Sequence, residues 1–152
     1  MTTSRAMCAF LTAALLSGCG IRQAVYVPSG WQRTEQDTFE LRKDDLVASM
    51  PMMVVNKSDV TLHPAVSMHS KGHEVRLVGA IWTVAGQPLP PYSRIDPSAP
   101  VDGSVPLDLH WTAPDRGKVV DVLSQGTPLR IDVTVDGTPE VIDIDFVRRD
   151  RY

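Results

Sequence analysis

The dipeptide Asp136-Gly137 sits between two runs, 129–135 and 138–146, that alternate apolar with polar residues. A two-residue hairpin loop of type I′ needs positive φ at both central positions, and Asp-Gly adopts that geometry with little strain. Pairing outward from the turn sets Val135 opposite Thr138, Ile131 opposite Ile142 and Leu129 opposite Ile144. Val133 shares this apolar face and Phe146 closes it, while the opposite face sets Arg130 against Asp143. A slip of one residue would turn the apolar row to solvent, so turn and core face specify one another. A chain organised around such a unit is committed to antiparallel sheet.

The same period of two recurs elsewhere. Phe39 and Leu41 alternate with Glu40 and Arg42, and Val105, Leu107, Leu109 and Trp111 alternate with Pro106, Asp108 and His110. Residues 52–55 form a short apolar run after Pro51, and 75–84 form a longer one, rich in β-branched residues and containing Trp82. Each reads as a strand. A second hairpin is expected between 61–70 and 73–84, with Lys71-Gly72 as its loop, Met68 opposite Val75 and Val66 opposite Leu77. Residues 118–125 carry two signals. The following Gly126-Thr127-Pro128 resembles a helix stop, whereas Val119, Val120 and Val122 favour a strand, and the segment is assigned as strand. Seven or eight short strands without a usable helix predict an all-β fold, a two-sheet antiparallel β-sandwich with an immunoglobulin-like form as one version. The Cys–Trp–Cys arrangement of antibody-type domains is missing.

A chain of 152 residues with 43% hydrophobic content suits one domain with an ordinary core and is too apolar for a disordered chain. Its formal charge of −3 argues against broad binding to nucleic acid, which needs concentrated Lys and Arg.

The N-terminal residues address location. Arg5 supplies one positive charge, and residues 6–16 are apolar except for Thr12. That run is too short for a spanning helix, which needs about 20 residues, but fits a secretory signal peptide. It ends in Leu16-Ser17-Gly18-Cys19, which resembles the lipobox of bacterial lipoproteins. The resemblance covers residues 1–19. It implies cleavage before Cys19, a diacylglycerol thioether on the Cys19 sulfur and acylation of the new amino terminus. Gly20 in the next position resembles the outer-membrane sorting pattern of the enteric members. The expected organisation is therefore a cleaved signal peptide (1–18), a lipidated cysteine and flexible tether (19–37) and a β-sandwich domain (38–152). Cys8 would be discarded and Cys19 modified, leaving no disulfide. Tyr26 and Trp31, within the tether, can meet the lipid interface or tuck against the domain.

Candidate chemistry is sparse. His63, His69 and His73 invite a metal site, but in the expected hairpin His63 and His69 lie about 20 Å apart at about 3.3 Å per residue, and His73 faces the other way. Asp132, Thr134, Asp136, Gly137 and Asp143 echo a calcium loop, yet Pro139 interrupts it and the hairpin uses the same residues. No nucleophile elbow, phosphate loop or dinucleotide fingerprint is present. No cofactor, metal site or catalytic residue is therefore expected. The segment 86–106 holds six of the twelve prolines. Long loops of this kind are often functional, and Tyr92, Arg94 and Ile95 supply an aromatic ring, a bidentate donor and an apolar contact for a protein partner. The expectation is an envelope lipoprotein, lipid-anchored and facing the periplasm, that binds a macromolecule as an assembly subunit, inhibitor or immunity protein. An enzyme acting on peptidoglycan or glycan, or a small-ligand or metal carrier, are the alternatives.

Overall fold

The computed structural model describes residues 23–34, 37–92 and 103–149. Cys19, Arg94 and Ile95 lie outside the described residues. Among the described residues there are fourteen strands, all paired antiparallel and numbered in chain order. One sheet holds β2 (Gln32–Arg33), β3 (Thr38–Lys43), β4 (Leu46–Pro51), β7 (Ser67–Ser70) and β10 (Val105–Pro106), in the order β10-β7-β4-β3-β2. A second holds β8 (Val75–Val84), β9 (Gln87–Leu89), β12 (Leu129–Val135) and β13 (Thr138–Ile144), in the order β13-β12-β8-β9. β1 (Gln23–Pro28) lies between β5 (Met53–Asn56) and β14 (Phe146–Arg149), and β6 (Thr61–Leu62) pairs with β11 (Trp111–Thr112). Phe39, Ala48, Met50 and Met68 from the first sheet and Ala80, Trp82, Ile131 and Ile142 from the second belong to one continuous core. The architecture is the expected all-β sandwich.

The C-terminal hairpin has the expected register, with Leu129 opposite Ile144, Ile131 opposite Ile142 and Val135 opposite Thr138. Asp136 and Gly137 take φ of 47° and 81°, as the type I′ loop requires. Arg130 stands opposite Asp143, but its Nε donates to Asp132 Oδ1 at 3.0 Å, along the strand rather than across it. β8 reaches β12 with one irregularity. Gly79 faces Asp132 and Leu77 faces Val133, which leaves Val78 as the extra residue of a bulge. In strict alternation Val75 and Trp82 would point to opposite faces. The bulge lets both be buried while Val78 stands in solvent.

Prolines mark the borders of the sheets. Pro88, Pro106 and Pro139 sit in β9, β10 and β13, each the outermost strand of its sheet. A residue without an N–H is tolerated there, and it blunts an edge that would otherwise pair with another chain. The proline-rich segment is thus shorter as a loop than its composition suggests, because Ala85 and Gly86 form a tight turn that returns 87–89 onto β8.

Three expectations are corrected. Within the stretch assigned as tether, residues 23–34 are part of the domain: β1 is paired on both sides, and Ala24, Tyr26, Val27 and Trp31 are buried. The alternation in Gln23-Ala24-Val25-Tyr26 is short, and the Pro28-Ser29-Gly30 turn signal masks it. The second hairpin does not form either. His73 N–H donates to Ser70 O at 3.3 Å in a turn that carries the chain from one sheet to the other. β7 then pairs with β4 and β10, and β8 with β12 and β9. The ten-residue β8 satisfies more ladder hydrogen bonds against the seven-residue β12 than against the four-residue β7. Finally, 118–125 is not a strand but contains α1 (Val119–Leu123), which buries Val119, Val120, Val122 and Leu123. The helix-propensity cost of each valine, about 0.7 kcal/mol at most, is smaller than the roughly 1.5–3 kcal/mol from burying its side chain. Tyr26 fastens this helix, with its hydroxyl donating to Val120 O at 3.0 Å.

Candidate functional site

Among the described residues, histidines and carboxylates gather in two surface groups, one at the β6–β11 strand ends and one where the β7–β8 and β12–β13 turns meet. The first begins in the β6–β11 pair, where Leu62 stands opposite Trp111 and both are buried. Extending that antiparallel register by one residue brings His63 opposite His110. The alternation that buries Leu107, Leu109 and Trp111 puts Asp108 on the same outward face as His110, two residues away. The two imidazoles stack with centroids 3.9 Å apart and planes 29° from parallel. His63 Nε2 lies 3.6 Å and His110 Nε2 3.8 Å from Asp108 Oδ1. Partial burial pushes the His63 pKa down, the neighbouring His110 lowers it further, and Asp108 partly offsets both. His63 is thereby favoured as a neutral ring with a free lone pair.

Tyr92 joins this group. Its N–H donates to His110 O at 3.0 Å, and its ring leans on the His110 ring at 5.7 Å. Trp111 Nε1 donates to Leu89 O at 3.0 Å, so the chain entering the proline-rich segment is pinned at Leu89 and again at Tyr92. The Tyr92 side chain is nevertheless 63% exposed. Of the three residues proposed for partner binding, Tyr92 is described and its partners Arg94 and Ile95 are not. Sequence reasoning considered His63 with His69 and His73 and missed His110. The signal was present in the 105–111 alternation, but the pairing of β6 with β11 was not legible.

The second group lies at a cleft of about 260 Å³ lined by Lys43, Asp45, His73, Asp136 and Glu140 among others. Asp136 receives the Glu74 N–H on Oδ1 at 2.8 Å and meets His73 Nδ1 at 2.6 Å through Oδ2. His73 Nε2 is 3.9 Å from Asp45 Oδ2, and Lys43 Nζ is 2.7 Å from Glu140 Oε2. Among the described residues that line the cleft, Thr138 is the one hydroxyl side chain and there is no serine or cysteine. A histidine held between two carboxylates is stabilised as a cation rather than set to activate a nucleophile. The hydrogen bond to Asp136 raises the His73 pKa above its usual 6.5. Bonds from His73 and the Glu74 N–H hold Asp136 below its usual 3.8.

This contact clips the β7–β8 turn to the β12–β13 turn. A raised histidine pKa contributes stability that is complete below the unfolded value and lost as pH rises through the folded one. A depressed aspartate pKa contributes stability present above its unfolded value and lost as pH falls through the folded one. The clip is therefore complete between about pH 4 and 6.5 and weakens on either side. In an NMR titration His73 should titrate above the usual histidine value, and Asp136→Asn should bring its midpoint down. A His73 midpoint unchanged by Asp136→Asn would disprove the clip. Both partners are about half exposed, so the contribution should shrink in high salt.

No protein-family model matches the chain, and neither a curated protein nor a solved structure is significantly similar to it.

Proposed function

We propose that the chain is a lipid-anchored bacterial envelope protein whose β-sandwich, facing the periplasm, binds a protein partner through the surface around Tyr92. The location rests on the apolar run 6–16 followed by Leu16-Ser17-Gly18-Cys19. In this reading Cys19 carries the lipid, and Gly20 directs the protein to the outer membrane. Two or more acyl chains hold a protein stably, whereas one is marginal.

The observation that carries the binding role is an exposed aromatic ring on a fixed backbone. The Tyr92 N–H donates to the His110 carbonyl, and the Trp111 Nε1–Leu89 O bond pins the chain three residues earlier. Ordering costs are low for such a group, and tyrosine is enriched where few residues carry most of the binding energy. Arg94 and Ile95 follow within three residues.

Cys19→Ala should abolish incorporation of labelled palmitate and release the protein from membranes. Crosslinking in the native host, read by mass spectrometry, should recover a stoichiometric protein partner whose yield falls about tenfold or more with Tyr92→Ala. Membrane release without loss of label would refute the anchor. Turnover of peptidoglycan or glycan by the pure protein, with no partner recovered, would instead favour an envelope enzyme.

A further inference from the structure

The His63–Asp108–His110 group has the donor set and spacing of a transition-metal site. One ligating atom from each of the three residues lies within 4.8 Å of the others. Donors about 2.0–2.2 Å from a tetrahedral ion are about 3.4 Å apart. The two imidazole nitrogens stand 3.6 Å and 3.8 Å from the same carboxylate oxygen. Those separations are too long for hydrogen bonds, which close at about 2.7–3.2 Å. These two separations come within a few tenths of an ångström of the tetrahedral spacing, and binding one ion through both histidines requires the stacked rings to turn out of their near-parallel arrangement.

The frame behind the donors is rigid. Leu62 and Trp111, the residues adjoining the two histidines, are buried and paired, and the His110 carbonyl is engaged by Tyr92. Asp108 is held by the alternation that buries Leu107 and Leu109 on its two sides. The donors are also accessible, with His63 and Asp108 side chains 45% and 75% exposed.

We infer that His63, Asp108 and His110 bind a divalent late first-row transition ion of the zinc class through two imidazole nitrogens and one carboxylate. Imidazole suits zinc, copper and nickel, whereas calcium and magnesium take all-oxygen sets. Three protein ligands leave a tetrahedral ion one position for water or for a donor from another molecule. The inference is independent of the anchor and of the partner.

The test titrates zinc chloride into the untagged full chain in detergent, followed by calorimetry, with cobalt(II) absorption reporting coordination geometry. One equivalent should bind saturably, and cobalt should give the intense visible bands of a tetrahedral site. His63→Gln and His110→Ala should each weaken binding about tenfold or more, and His69→Ala should leave it unchanged. Circular dichroism identifies any variant that has lost its fold. His63→Gln, at a half-exposed side chain outside the core, keeps the question decidable if His110→Ala unfolds. Absence of saturable uptake, or uptake with equal affinity in His63→Gln, would overturn the assignment.

Discussion

Trp82→Ala is expected to remove most of the domain's stability. Trp82 is fully buried at the middle of the core, and its Nε1 donates to Thr127 Oγ1 at 2.9 Å. Truncating a buried tryptophan costs about 3–5 kcal/mol through lost transfer energy and the cavity left behind. The buried Thr127 hydroxyl would lose its donor, at a further cost of about 1–3 kcal/mol. Together these rival the roughly 5–15 kcal/mol that holds an ordinary domain. Urea unfolding should show a midpoint near zero denaturant or no cooperative transition. Trp82→Phe, which keeps most of the volume and loses the bond, should cost roughly 1–3 kcal/mol. A loss under about 1 kcal/mol for Trp82→Ala would mean that the core does not close around this ring.

The second large effect lies at the N-terminal end. A chain lacking residues 1–28 should fail to fold, whereas one lacking 1–22 should unfold cooperatively. Removing β1 takes away the middle strand of its sheet, leaving β5 and β14 with no neighbour to share. It also removes Tyr26, whose fully buried ring and bond to Val120 O fix α1 against the sheets. Losing Tyr26 alone is worth about 3–5 kcal/mol by the cost of large core truncations. Size-exclusion chromatography and near-ultraviolet circular dichroism would distinguish the two chains. Native-like spectra from the shorter chain would return 23–28 to the role of a tether.

The parts of the fold legible in the sequence are those set by local chemistry. Asp136-Gly137 dictates its turn from two residues, and the alternation on each side then fixes every pair of the hairpin. The 105–111 alternation likewise foretells which side chains are buried. What local pattern does not encode is choice of neighbour. Met68 and Val75 both need burial, and a hairpin or a crossover between sheets satisfies that need equally well. Only the competing demand of β12 for a partner decides, and that demand lies about fifty residues downstream. The same holds for function. His110 is visible as one residue of a half-buried strand, but its meeting with His63 depends on β6 lying beside β11. An all-β sandwich follows from strand count and turn spacing, whereas an immunoglobulin-like order is a statement about neighbours, and the pairings do not confirm it. In α1 the stop signal at Gly126 was the better guide, because burial of one helical face outweighs the modest preference of valine for extended backbone.

The placement of β1 has a mechanical consequence. Only three residues separate Cys19 from Gln23, so an acyl group on Cys19 would be leashed to the domain by about 14 Å of fully extended chain. A protein on so short a leash would skim the bilayer, and its reach would be set by its own width. Any tug between membrane and domain would enter at the head of a strand gripped along both sides, loading two ladders in shear at once rather than peeling one open.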